Sequence, residues 1–149
     1  MPCSRTGQAS GIQVYGEQRG AALGDFNADG RVDLVVTQNG TSTVLYENAG
    51  ARPALRVRLT GPPGNPCGIG AILRVQSDLQ SGPAREIHAG AGYWSQDSLV
   101  QVLASPAAPA RIEVRWPGGK SVTGDIPPEA KEIVVDAEGQ VRPIRSATR

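Results

Sequence analysis

Three aspartates and an asparagine crowd into one short stretch, Asp25-Phe26-Asn27-Ala28-Asp29-Gly30-Arg31-Val32-Asp33. Side-chain oxygens recur at the first, third, fifth and ninth positions, and glycine holds the sixth. That spacing lets a loop wrap hard oxygen ligands around one cation while Gly30 makes the sharp turn. The candidate ligands are Asp25, Asn27, Asp29 and Asp33, with the Arg31 carbonyl at the seventh position, and the chemistry is calcium binding. Three carboxylates this close repel one another, so the metal-free loop is expected to be weaker. The alternative is an acidic Asx-turn loop that holds no ion. A calcium loop between two helices would need a bidentate Glu at position twelve. Here that position is Val36, inside a β-branched run, so the loop joins strands.

Other groups could do chemistry only if the fold brought them together. His88, Ser95 and Asp97 are the right types for a nucleophilic relay, but His88 is the only histidine and no G-x-S-x-G turn surrounds Ser95. Glu86 and Glu113 could form a glycosidase pair, yet nothing in the sequence sets their separation. No catalytic residue is assigned, and the chain is expected not to be an enzyme. Tyr93, Trp94 and Trp116 could stack on sugar faces or anchor a protein partner. Aromatics are only 4% of the chain, which makes core packing the stronger reading. The glycines of Gly90-Ala91-Gly92 suit a bend, with Gln96 and Asp97 satisfying backbone groups there. Cys3 and Cys67 allow one disulfide, worth about 4 kcal/mol in the chain-entropy picture. Neither cysteine has the spacing of a zinc site. Asn39-Gly40-Thr41 fits a glycosylation acceptor.

The elements that must position these residues are strands. The 149 residues suit about one ordinary domain. Glycine (19) and proline (12) are abundant, and long 3.6-residue periodicity is missing. A net charge of +1 gives no footprint for nucleic acid or an anionic membrane. No apolar run is long enough for a membrane span, and no apolar segment follows Met1-Pro2-Cys3-Ser4-Arg5. Val32–Thr37 and Thr43–Tyr46 flank Asn39-Gly40, which predicts a type I′ hairpin. Residues 54–60 alternate cleanly, with Arg56 and Arg58 on one face, read as solvated. Further strands are expected at Ala71–Val75, Arg85–Ala89, Leu99–Leu103, Arg111–Trp116, Ser121–Ile126 and Glu132–Val135. This spacing predicts an all-β chain with a sandwich or barrel. The expected organisation is an N-terminal extension (1–10), a hairpin-rich unit (11–50), an all-β domain (54–139) and a loosely held tail (140–149). The first unit is too small to bury a core alone, so it must dock on the second or on another chain.

Two resemblances attach to these segments. Gly20 to Val36, with the acidic loop at its centre, resembles the FG-GAP (VCBS-like) repeat, one blade of an integrin-type β-propeller. The resemblance implies calcium held by Asp25, Asn27, Asp29, the Arg31 carbonyl and Asp33. The remainder is similar to the ASPIC/UnbV domain. The carrying residues are Leu55–Leu59, Asn65-Pro66 with Gly68-Ile69-Gly70-Ala71, Gly90–Asp97 and Val114–Gly119. That domain follows FG-GAP repeats in proteins similar to cartilage acidic protein. The resemblance implies a calcium-stabilised extracellular or cell-surface module, without assigned catalytic residues, that binds a protein partner or a second copy of itself. The alternative is a carbohydrate-binding module. One repeat in place of many suggests the C-terminal piece or a reduced member of such a protein.

Overall fold

The computed structural model describes residues 7–77, 80–104 and 110–144. A single helical turn, α1 (Gly7–Ser10), precedes eleven strands: β1 (Glu17–Gly24), β2 (Asp33–Asn39), β3 (Val44–Tyr46), β4 (Leu55–Thr60), β5 (Ile72–Ser77), β6 (Arg85–Glu86), β7 (Gln101–Leu103), β8 (Ala110–Arg115), β9 (Ser121–Asp125), β10 (Glu132–Asp136) and β11 (Val141–Pro143). They form three open sheets, ordered β1-β2-β3, β11-β10-β4-β7 and β6-β5-β8-β9. The chain is all-β, and no sheet closes into a barrel.

The two four-stranded sheets enclose the core. Alternation aims Leu55 and Val57 of β4 and Ile133 and Val135 of β10 at Leu73 and Val75 of β5 and Ile112 and Val114 of β8. Fully burying each such side chain stabilises by roughly 1.5–3 kcal/mol. Trp116 joins this core at 6% exposure. The Gly61–Gly70 loop presses its backbone on the indole: a Cβ at Gly61 or Gly68 would come within 3.1 or 3.3 Å of Trp116 Cζ3. Asn65 fixes that loop, its side chain donating to the Ile69 carbonyl (2.8 Å) and accepting from the Ile69 N–H (2.9 Å). Strands β4 and β10 run parallel with Arg56 beside Glu132; the other strand pairs are antiparallel.

Several expectations change. The Asn39-Gly40 turn is not type I′: only Gly40 has positive φ (70°), and Asn39 extends β2 by pairing with Glu17. Residues 12–15, before β1, cross Tyr46, whose hydroxyl donates to the Gln13 carbonyl at 2.6 Å. Residues 140–144 are no loose tail. Asp136 accepts from the Glu138 and Gln140 N–H groups, Gly139 turns with φ 87°, and β11 closes a hairpin on β10.

Candidate functional site

The acidic loop joins the end of β1 to the start of β2. Asp25 accepts the Asp29 N–H on Oδ1 (3.0 Å) and the Gly30 N–H on Oδ2 (2.8 Å). Asn27 Oδ1 also accepts the Asp29 N–H, at 3.1 Å, so two side-chain oxygens meet at one point. Asp29 accepts the Arg31 N–H at 2.9 Å and pairs with the Arg31 guanidinium at 2.8 Å. Burial would raise the Asp29 carboxyl, but its hydrogen bonds to Asn27 and Arg31 outweigh it and hold the pKa below the ordinary value. Asp33 accepts from the Phe26 and Asn48 N–H groups at 3.0 and 2.9 Å. Ala28 and Gly30 both take positive φ, 62° and 83°. Gly30 is required twice over, since a Cβ there would also lie 2.8 Å from the Ala54 carbonyl oxygen.

Beneath the loop lies a network that the alternation of β4 alone did not reveal. Arg56 is not on a solvated face. Its side chain is 9% exposed and bridges Asp25, which is 0% exposed, and Glu132, which is 11% exposed. Glu132 Oε2 stands 3.0 Å from Arg56 Nε, and its Oε1 stands 2.6 Å from Arg58 Nε. Burial pulls the Arg56 guanidinium down, yet Asp25 and Glu132 hold it above its ordinary value. Burial likewise pushes Glu132 up, and Arg58 and Arg56 reverse this, leaving its carboxyl below the ordinary range. The Ala54 N–H donates to the Gly30 carbonyl at 2.8 Å alongside. The first sheet is thus latched to the second through the very residues that read as a metal loop.

The donor chemistry of the loop suits calcium: every candidate is a hard oxygen, and Asp25 and Asn27 already converge. Among the described residues no three His, Cys, Asp or Glu side chains converge. A full shell would therefore draw on the neutral Asn27 and Arg31 oxygens and would require Asp29 to turn from Arg31. Arg56 and Arg31 already compensate two of the three carboxylates, which tempers the repulsion expected from the sequence.

A second latch carries the aromatic residues. Residues 88–98 form a hairpin-like loop bridged at Gly92 and Ser95. As expected, Gln96 serves its backbone, accepting from the Gly90 N–H and donating to the His88 carbonyl at 2.9 Å, whereas the Asp97 side chain, expected to do the same, reaches out of the loop to β1. Asp97 Oδ1 accepts the Leu23 N–H at 2.8 Å, and the Ser98 N–H donates to the Leu23 carbonyl at 2.8 Å. At the tip, Tyr93 is 65% and Trp94 88% exposed, with ring centroids 5.8 Å apart and planes tilted by 30°. These two rings leave the core; Trp116, grouped with them on sequence, is buried and is no contact residue. Trp94 holds φ 51°, a strained conformation for a non-glycine residue.

The matched family model, described as ASPIC and UnbV, covers residues 61–141. The chain belongs to the ASPIC and UnbV family. Curated proteins give no match. The ASPIC and UnbV segment includes the aromatic loop and Glu132, whereas the acidic loop and Arg56 lie before it.

The residues that suggested catalysis lie within the ASPIC and UnbV segment. His88 Nδ1 faces Glu86 at 3.7 Å, Asp97 is bonded to Leu23, and no hydrogen bond joins His88, Ser95 and Asp97. Glu86 and Glu113 sit on strands flanking β5, two residues out of register, about 12 Å apart by strand geometry. Cys67 carries an exposed free thiol, and its candidate partner Cys3 lies outside the described residues. Asn39 is exposed at the end of β2. No helix among the described residues is long and apolar enough to cross a membrane.

Proposed function

We infer that this chain is a calcium-stabilised, non-catalytic interaction module of extracellular type, in which an FG-GAP-like unit is docked on an ASPIC and UnbV domain. The observation that carries the reading is the buried Asp25–Arg56–Glu132 bridge. Through it, any cation that orders the acidic loop also orders the docking of the first sheet. Asp25, Asn27, Asp29, the Arg31 carbonyl and Asp33 would hold calcium, which supplies charge compensation and no chemistry. Extracellular calcium concentrations suit such a weakly charged shell. The partner is a protein or a second copy. Among the described residues β3 is an edge strand, and its own Leu45 is 57% exposed, which supports strand-edge or apolar association.

The test is thermal unfolding in millimolar calcium against chelator. A ligand at a hundred times its Kd stabilises by about 2.7 kcal/mol. Calcium should raise Tm, magnesium should do so poorly, and Asp29→Ala should remove the gain. Identical curves in calcium and chelator would overturn the metal reading.

A further inference from the structure

We propose that the cleft between the first sheet and the aromatic loop, together with the Tyr93–Trp94 tip, forms one binding site for a neutral oligosaccharide. The proposal rests on the reading of the chain as a binding module but goes beyond its protein partner, adding a ligand of another class at a separate surface; it does not depend on calcium.

The cleft encloses about 450 Å³ where β6 and β7, edge strands of the two packed sheets, splay apart. Its walls are the two arms of the aromatic loop, and Leu23 and Val32 close one side. That volume and that place, at a junction of structural units, are those of ligand sites. Glu86 and His88 stand at its mouth, with side chains 46% and 60% exposed. A carboxylate beside an imidazole accepts from and donates to hydroxyls. Gln101 adds an amide to the same lining.

The aromatic tip belongs to this site by position. A Cβ at Gly20 would lie 3.2 Å from the Tyr93 and Trp94 carbonyl oxygens, so the tip overlies Gly20. The cleft begins at Leu23, three residues along β1 and about 10 Å away. Two exposed rings, held by a strained backbone at Trp94, give apolar faces on which sugar rings can stack. A cleft lined by both polar and apolar groups, with an aromatic platform one short step away, matches a chain of sugar rings, which carry hydroxyls at their edges and apolar faces.

The competing ligand classes fit less well. An extended peptide would need a run of unpaired strand edge, but the edge strands β6 and β7 offer two and three residues. An anionic chain would need clustered cations. Among the described residues the lining has one arginine, Arg85, and no lysine, and Arg85 is opposed by Glu86 and by Asp97, which is itself engaged by Leu23.

The experiment applies the full chain, in calcium, to an array of neutral hexose and N-acetylhexosamine oligosaccharides beside sialylated and sulfated ones. The best neutral oligosaccharide is then titrated by tryptophan fluorescence or calorimetry. Binding to neutral members is expected. Trp94→Ala should weaken it at least tenfold, Glu86→Gln severalfold, and Trp94→Phe little. These side chains are exposed, so the variants should keep the wild-type Tm, which is measured on the same samples. No neutral binding, a preference for anionic glycans, or full affinity in Trp94→Ala would each overturn the assignment. A peptide selected from a display library that binds only with Trp94 present would overturn it in favour of a protein ligand. The calcium response of Tm in these samples reports separately on the metal reading.

Discussion

Replacing Arg56 by methionine tests how the two parts of the molecule are joined. The substitution keeps an apolar stem of similar length and removes the guanidinium from between Asp25 and Glu132, which are 0% and 11% exposed. Removing one partner of a buried ion pair typically costs about 3–5 kcal/mol, because the remaining charge is left uncompensated. Two features place this site at the lower end. Asp25 keeps the Asp29 and Gly30 N–H groups, and Glu132 keeps Arg58. The expected loss is therefore about 3 kcal/mol, or roughly 6–12 °C in Tm for a chain of this size. Urea unfolding followed by circular dichroism measures it. Arg58→Met is the control: its side chain is 49% exposed, and the expected loss is under about 1 kcal/mol. Calcium should reduce the Arg56→Met deficit, because a dication beside Asp25 takes over part of the lost compensation. If Arg56→Met cost no more than Arg58→Met, the latch would be an arrangement without energetic weight, and the coupling of loop to domain would fall with it.

Three further outcomes follow from the same geometry. Glu132 has a folded pKa below the ordinary glutamate value of 4.5, so its contribution is complete above that value and is lost as pH falls through the folded one. The urea midpoint of wild type should therefore drop more steeply below about pH 4.5 than that of Glu132→Gln, and parallel profiles would refute the assignment. Trp94→Gly should raise stability by about 1 kcal/mol by relieving the left-handed backbone while abolishing glycan binding; a destabilised variant would show that Trp94 is structural. Amide exchange should be faster in β2 than in β8, since Val36 is the only apolar residue under 10% exposed in the first sheet; equal protection would mean that all three sheets unfold as one unit.

The sandwich was legible where its strands have one dry face. Leu55, Val57, Leu73, Val75, Ile112, Val114, Ile133 and Val135 alternate because a two-layer core demands it. Strand β1 was harder to see, since its first half, Glu17 to Arg19, is exposed on both faces and has no period. Strand β11 carries one partly buried apolar residue, Val141, too little to mark a strand, and only its pairing with β10 holds it. The parallel neighbours β4 and β10 lie far apart in sequence, and no local pattern encodes such a pairing.

The acidic loop was legible as a loop because the spacing of its oxygens and of Gly30 is local, whereas its counter-charges were not. Alternation places Arg56 on the face of β4 opposite the core but says nothing of what covers that face. What covers it is a loop 31 residues earlier in the chain. The aromatic residues fail for the same reason in reverse. Scarce aromatics favour burial on energetic grounds, and Trp116 obeys. Tyr93 and Trp94 do not, because Gln96, Asp97 and Ser98 spend their hydrogen bonds on the loop and on Leu23, fixing a tip that cannot fold back. An apolar pair held out of the core by polar bonds lowers stability unless something else covers it. The first sheet shows the same economy: it is fastened by ions and backbone hydrogen bonds, while Leu23, Phe26 and Leu45 stay 47–57% exposed. Polar fastening thus leaves apolar surface free for the partner proposed above.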